Sequence, residues 1–133
     1  SIRHKERASH TNSILWKDCV KMDKLSLIGV TPMEYSYFVE SKIMTSGNDR
    51  LIENVLGLVG ESGEIAEKLK KAIRDKHPLN RDDILKELGD VLFYITSVAN
   101  YHDSSLADVL EINMRKLKDR EERGVLSGSG DNR

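Results

Sequence analysis

The sequence predicts an all-α protein, a four-helix bundle, and three observations lead to that prediction. Apolar residues recur at intervals of three and four through the later helical segments, as on one face of a helix. Helix-start signals precede three of the four segments, and the 133 residues include only two prolines and show no convincing strand. The length fits one domain whose core is modest, so we expect association with further copies to complete the bundle.

The first helix begins at the sequence Thr31-Pro32-Met33-Glu34. Thr31 can cap the helix, Pro32 suits its first position, and Glu34 completes a capping box. We expect this helix to run to about Met44 and to be followed by a loop over residues 45–49, which are small and polar.

The second helix is predicted from about Arg50 to Arg74. Its apolar side chains fall on one face, which we interpret as a core face: Ile52, Val55, Leu56, Val59, Ala66, Leu69 and Ile73. Another arc carries charged side chains: Glu61, Glu64, Lys68 and Lys71. Such an arc is commonly a solvated surface with Glu–Lys pairs, and that interpretation remains open at this point.

Three glycines, Gly57, Gly60 and Gly63, interrupt this helical pattern at three-residue spacing. Each costs roughly 1 kcal/mol relative to alanine in a helix interior. We therefore expect another helix or a ligand to approach closely here.

The third helix follows a short break at residues 74–80, with Asn80 as its cap and Asp83 at the capping-box position. Its core stripe comprises Ile84, Leu88, Val91, Ile95, Val98 and Ala99. A second, polar stripe comprises Asp83, Glu87, Asp90, Tyr94, Ser97 and Tyr101. The two tyrosines are unusual for a purely solvated face, although they could be ordinary boundary residues.

The fourth helix is predicted from the Ser105 cap to a stop at Gly124. Its buried face comprises Leu106, Val109, Leu110 and Leu117. Asn113 interrupts that face, and a buried amide needs partners in a neighbouring backbone or in a polar site. Lys116 and Arg120 flank it.

The two ends of the chain are predicted to lie outside the helical domain. Residues 1–30 read as an N-terminal extension, within which Met22 is an alternative native start. Residues 125–133 are rich in serine and glycine and read as a flexible tail.

Composition excludes several classes of function. The net charge is −1 and aromatic residues are 5% of the chain, which argues against nucleic acid as the main partner. No apolar run approaches the roughly 20 residues that span a membrane, and no signal-peptide core follows the charged N-terminus. Cys19 is the one cysteine, which excludes an intramolecular disulfide and a cysteine-rich zinc site and fits a cytoplasmic protein.

Two carboxylate pairs carry the chemistry of this sequence: Glu61 with Glu64, and Glu87 with Asp90. Members of each pair are three residues apart and so share a helix face. A helix, a tight reversal and a second helix would bring the pairs together, where they repel unless a cation lies between them. Hard oxygen ligands suit Mg²⁺ or Mn²⁺, so the sequence predicts a site for these metals.

These stretches resemble the MazG-type all-α nucleoside triphosphate pyrophosphohydrolases. The resemblance covers about residues 31–124 and is carried by residues 56–64 (LGLVGESGE), 87–94 (ELGDVLFY) and 113–120 (NMRKLKDR). One departure is that many relatives have two adjacent glutamates where this chain has Gly60-Glu61. The departure leaves the base that activates water open.

The resemblance implies a MazG-like catalytic helical domain at residues 31–124. Its implied reaction is Mg²⁺-dependent hydrolysis of a (d)NTP to the (d)NMP and pyrophosphate, with nucleotide-pool cleansing as one role and Mn²⁺ as a substitute metal. The implied metal ligands and catalytic residues are Glu61, Glu64, Glu87 and Asp90. Candidate substrate-binding residues are Lys71, Tyr94, Asn113, Lys116 and Arg120. Base selectivity is expected from the first helix, with a neighbouring subunit as a second contributor. Lys68 could equally pair with Glu64 or contact phosphate. Relatives assemble as dimers or tetramers with sites at or near the interface, so we expect a homodimer or homotetramer.

Three alternatives remain at this point. Phosphoribosyl-ATP pyrophosphohydrolases and dimeric dUTPases belong to the same superfamily. A helical interaction module, whose charges are only a solvated surface, is the alternative from a different class.

Overall fold

A computed structural model describes residues 29–130, which form four α-helices and no strand. The helices are α1 (Pro32–Lys42), α2 (Gly47–Asp75), α3 (Arg81–Tyr101) and α4 (Leu106–Glu122). The all-α prediction is confirmed for this part of the chain. The predicted extension at residues 1–30 lies almost wholly outside the described residues, as do the last three residues of the predicted tail.

The structure contains the predicted capping hydrogen bonds at the starts of α1 and α3. The Thr31 side chain accepts from the Glu34 backbone N–H at 3.2 Å, and the Glu34 carboxylate accepts from the Thr31 N–H at 3.0 Å. The Asn80 side chain accepts from the Asp83 N–H at 3.1 Å. Each bond satisfies a backbone donor that the first helical turn leaves without an intrahelical partner.

The connection between α1 and α2 is shorter than predicted. Helix α1 ends at Lys42 rather than Met44, and α2 begins at Gly47 rather than Arg50. Three of the five residues assigned to the loop, Gly47, Asn48 and Asp49, instead lie in the first turn of α2. There Asp49 contributes a negative charge beside the positive end of the helix dipole.

Helices α2 and α3 form the main hairpin, joined by a short turn at residues 76–80. A Cβ atom at Gly57 of α2 would overlap the ring of Tyr94 of α3. The close approach predicted from the glycines is therefore real at Gly57. At Gly60 and Gly63 a Cβ would meet nothing within 4 Å among the described residues.

Helices α1 and α4 pack against α3 and against each other, and the small core lies where these three meet. Its fully buried side chains are Val39, Thr96 and Ser97. Leu106 is also buried, and its backbone N–H donates to the Ser36 hydroxyl at 2.9 Å. We call the end of the bundle at which α1, α3 and α4 meet the closed end, because these side chains fill it.

A polar network ties α1 and α2 to α3 at the closed end. Arg50 donates two hydrogen bonds to the Glu40 carboxylate, at 2.8 and 2.7 Å. Its Nη2 atom also lies 3.4 Å from the Ser97 carbonyl oxygen. Asn100 donates to the Ser36 carbonyl at 2.9 Å and to the Glu40 carboxylate at 3.2 Å. None of these contacts was predicted from the sequence.

The interpretation of the α2 apolar face as a core face is wrong for the single chain. Its large side chains have exposed fractions between 41% and 70%: Ile52, Val55, Leu56, Val59, Leu69 and Ile73. Ala66 is exposed as well. Helix α2 packs on α3 through a different face, on which Asn54 and Ala72 are buried. Periodicity identifies an apolar face but does not specify what covers it.

The predicted stripes of α3 and α4 are buried only in part. Leu88, Leu110 and Leu117 are exposed, whereas Ala99 and Leu106 are buried at the closed end. Asn113, expected on the buried face of α4, is exposed and so needs no buried partner for its amide.

Within residues 29–130, no helix combines the length and the apolar character that crossing a membrane requires.

Candidate metal centre and active site

Three carboxylates meet on the α2–α3 hairpin. Glu61 comes from α2, and Glu87 and Asp90 come from successive turns of α3. One oxygen of each lies within 4.8 Å of the others. The predicted convergence of the two carboxylate pairs is therefore seen for three of the four members.

Glu64 lies outside this three-carboxylate group and its side chain is exposed. It is nevertheless close enough for its charge to raise the pKa of Glu61. The prediction that Glu64 is a fourth metal ligand stays a prediction.

The electrostatics of the group favour a cation. Desolvation raises the pKa of Glu61 above its ordinary value, and the charges of Asp90 and Glu87, in that order, raise it further. The contributions from Asp90 and Glu87 reflect repulsion between like charges. A set of hard oxygen donors with this excess of negative charge fits Mg²⁺ or Mn²⁺.

A lysine stands at one side of the group. Lys68 of α2 places its Nζ atom 3.3 Å from Oε1 of Glu87. The alternative pairing with Glu64 is thus not the arrangement seen. Lys71, one turn further along α2, lies 3.6 Å from Glu67.

A tyrosine of α1 is within electrostatic range of Asp90. Burial and, secondarily, the negative charge of Asp90 raise the pKa of Tyr35 on α1. Tyr35 also stacks on Phe38 at a centroid distance of 6.2 Å. Sequence reasoning assigned α1 to base selectivity but missed Tyr35, because nothing local to α1 indicates that it reaches α3.

The remaining candidate residues are less directly connected to the carboxylates. The Tyr94 ring fills the space above Gly57 and meets Phe93 edge-to-face at 5.4 Å, so it contributes to the packing of α2 on α3. Asn113, Lys116 and Arg120 lie on α4, which packs on α1 and α3. Arg120 is buried and donates to the Gly130 carbonyl at 3.1 Å. Substrate binding by these residues stays a prediction.

Comparison with known proteins identifies the family. The family model of the MazG nucleotide pyrophosphohydrolase domain matches residues 51–125, which include Glu61, Glu64, Glu87 and Asp90. The chain belongs to the MazG family. The Gene 37 protein of Mycobacterium phage L5 is 52% identical over 82 residues, which are 59% of this chain and 72% of that protein. No solved structure matches the chain significantly.

The MazG match covers the α2–α3 hairpin and α4 but not α1. It begins within α2 and ends just beyond α4, so the first helix and its Tyr35 lie outside the matched residues. The family is one of all-α nucleotide hydrolases, and the four helices of this chain agree with it.

Proposed function

We propose that this MazG protein is a divalent-cation-dependent nucleoside triphosphate pyrophosphohydrolase that converts a (d)NTP to the (d)NMP and pyrophosphate. The observation that supports the proposal best is the group of Glu61, Glu87 and Asp90 within 4.8 Å, inside the residues that match the family. A triphosphate carries about four negative charges and would be repelled by these carboxylates unless cations lay between them.

The three carboxylates, with Glu64 as a fourth ligand, would hold Mg²⁺, for which Mn²⁺ could substitute. When bound, the metal would neutralise phosphate charge and make a water molecule more acidic. Glu64, which lies beside the group rather than within it, is also available to take the proton from the attacking water. This second role would compensate for the glycine that replaces the first glutamate of the family pattern.

The proposed reaction breaks the bond between the α-phosphorus and the oxygen that bridges it to the β-phosphorus. The water oxygen bonds to the α-phosphorus, and the departing pyrophosphate keeps the bonding electron pair. Cationic side chains would stabilise the charge that develops on the leaving group, for which Lys71, Lys116 and Arg120 are the candidates. Tyr94 and Asn113 are candidates for contacts with the sugar or a phosphate.

We also propose that the protein acts as a homodimer or homotetramer. The exposed apolar face of α2 supports this proposal, because surfaces of this kind on soluble proteins commonly mark association sites.

Product analysis with a panel of canonical and modified NTPs and dNTPs, with and without Mg²⁺, tests the function. We expect Mg²⁺-dependent release of the nucleoside monophosphate and pyrophosphate in equal amounts. The Glu61→Gln variant should lose turnover by at least about 100-fold, since removing a metal or transition-state contact commonly costs that much. Glu53→Gln, an exposed carboxylate on the same helix, is the matched control and should retain activity.

Other outcomes of this panel would contradict the proposal. Release of single phosphate would indicate a different phosphohydrolase. Turnover of phosphoribosyl-ATP alone would assign the protein to that branch of the superfamily, and turnover of dUTP alone to the dUTPases. Preferential hydrolysis of modified nucleotides would support a role in nucleotide-pool cleansing.

A further inference from the structure

A cavity of about 210 Å³ lies beside the α2–α3 turn. Its lining combines an apolar floor with polar and charged side chains: Lys68, Lys71, His77, Pro78, Leu79, Asn80, Asp83 and Ile84. One water occupies roughly 30 Å³ of liquid, so the cavity has room for a group much larger than a water molecule. An apolar floor also strengthens the attraction between a cation and an anion above it.

The charges at this cavity favour an anion. Lys68 and Lys71 bring two positive charges from successive turns of α2, and His77 adds an imidazole whose Nδ1 atom is 3.0 Å from the Pro78 carbonyl oxygen. Asp83 is the one acidic residue in the lining, and Lys86 lies 3.9 Å from its carboxylate and offsets part of its charge.

Lys68 connects this cavity to the carboxylate group, since it lines the cavity and also contacts Glu87 at 3.3 Å. Glu87 precedes Asp90 by three residues and so lies about 4.5 Å nearer the start of α3 and the turn. The cations are therefore on the Glu87 side of the group. Helix α1 packs on α3, and its Tyr35 is close enough to Asp90 for the charge of that carboxylate to act on it.

We infer that the cavity at the α2–α3 turn binds the terminal diphosphate of the substrate and then the pyrophosphate product, with Lys68 and Lys71 as its anion-binding residues. The nucleoside would extend the opposite way, past Asp90 toward Tyr35. This inference rests on the proposed function, because it assigns an orientation to the nucleotide in the same site. Lys68 would exchange its contact with Glu87 for one with phosphate when Mg²⁺ and the nucleotide bind.

Titration calorimetry with inorganic pyrophosphate in the presence of Mg²⁺ tests the inference on the full chain. Lys68→Gln and Lys71→Gln should each weaken pyrophosphate binding by at least about tenfold, the usual effect of losing a hydrogen bond to a charged group. Lys70→Gln is the matched control because it removes the same charge from the same helix but does not line the cavity. A nucleoside monophosphate, the second probe, should bind all three variants as it binds the unmodified protein.

The inference is overturned if the unmodified protein does not bind pyrophosphate, or if both cavity variants bind pyrophosphate normally. It is also overturned if Lys70→Gln weakens pyrophosphate binding as much as the cavity variants do. Equal loss of monophosphate binding would also overturn it, because the two lysines would then not distinguish the ends of the nucleotide. The same experiments distinguish failure of this inference from failure of the proposed function. If the protein hydrolyses no nucleotide but the cavity variants selectively lose pyrophosphate binding, the cavity site is supported and the proposed function is wrong. If the protein hydrolyses nucleotides but the cavity variants show no selective loss, the function is supported and the cavity site is wrong.

Discussion

Glu61 is the residue at which stability and function conflict. Its pKa is raised in the folded protein, so the folded state binds the proton more tightly than the unfolded chain does. The free energy of unfolding therefore falls as the pH rises from the ordinary glutamate value through the raised one. The ionised form of Glu61 therefore opposes folding unless a cation is bound.

Glu61→Gln is accordingly expected to raise the melting temperature of the metal-free protein at neutral pH. The difference should disappear below the ordinary glutamate pKa of about 4.3, where Glu61 of the unmodified protein is protonated in both the folded and the unfolded state. Added Mg²⁺ should stabilise the unmodified protein and should stabilise the variant much less. Thermal unfolding in EDTA and in Mg²⁺ across this pH range measures all three effects.

Glu53→Gln is the control for a generic change of charge on α2 and should show neither effect. A Glu61→Gln variant that is less stable than the unmodified protein in EDTA would contradict the repulsion described here. It would mean that Glu61 makes a favourable contact that outweighs its neighbours' charges.

At the scale of elements, the approach of α3 to α2 depends on one glycine. Alanine at Gly57 would place a methyl group inside the Tyr94 ring, so α3 or the ring would have to move. We expect Gly57→Ala to lower the free energy of unfolding by about 1–3 kcal/mol, the usual cost of overpacking. Gly60→Ala meets no neighbour among residues 29–130 and should gain up to about 1 kcal/mol from helix propensity. Urea unfolding monitored by circular dichroism compares the stabilities of the two variants. An equal loss of stability in both would show that another group also packs against Gly60.

The link between α1 and α2 depends on the Arg50–Glu40 pair, whose side chains are only 11% and 20% exposed. Breaking a buried pair by removing one member leaves the other charge uncompensated. Glu40→Leu should therefore cost about 3 kcal/mol, near the low end for buried pairs because Glu40 keeps some exposure. The double variant Glu40→Leu/Arg50→Met should lose less than the sum of the single changes. A double-mutant cycle by urea unfolding measures this coupling, and strict additivity would contradict it.

The features that were predicted correctly from the sequence depend on residues close together in the chain. The capping residues Thr31, Asn80 and Ser105 act within one helical turn, and the carboxylate hairpin follows from i,i+3 spacing on either side of a short break. The Arg50–Glu40 pair and the reach of Tyr35 toward Asp90 join distant parts of the chain. One sequence read alone contains no signal for such pairings, because any charged or aromatic residue at a helical position fits the local pattern equally well.

For the whole molecule, the most informative disagreement between sequence and structure is the apolar face of α2. Its helical period predicts burial, yet the described chain leaves these side chains exposed and forms its core where α1, α3 and α4 meet. Each large apolar side chain that is buried on association contributes about 1.5–3 kcal/mol. A second copy that packs on this face, as proposed above, would bury these side chains.

The oligomer proposal can be tested by placing a charge on that face. Leu56 is 66% exposed in the single chain, so Leu56→Glu should cost a monomer little, whereas in an assembly it would bury an unpaired carboxylate. Ile112→Glu on α4 is the matched control, since Ile112 is 64% exposed and lies on a different helix. Analytical ultracentrifugation over a range of protein concentrations should show a dimer or tetramer for the unmodified protein and the control, and a monomer for Leu56→Glu.

A monomeric unmodified protein, or dissociation of both variants, would mean that the α2 face is not the association surface. Thermal unfolding should agree, because only a protein that assembles through α2 gains melting temperature with concentration.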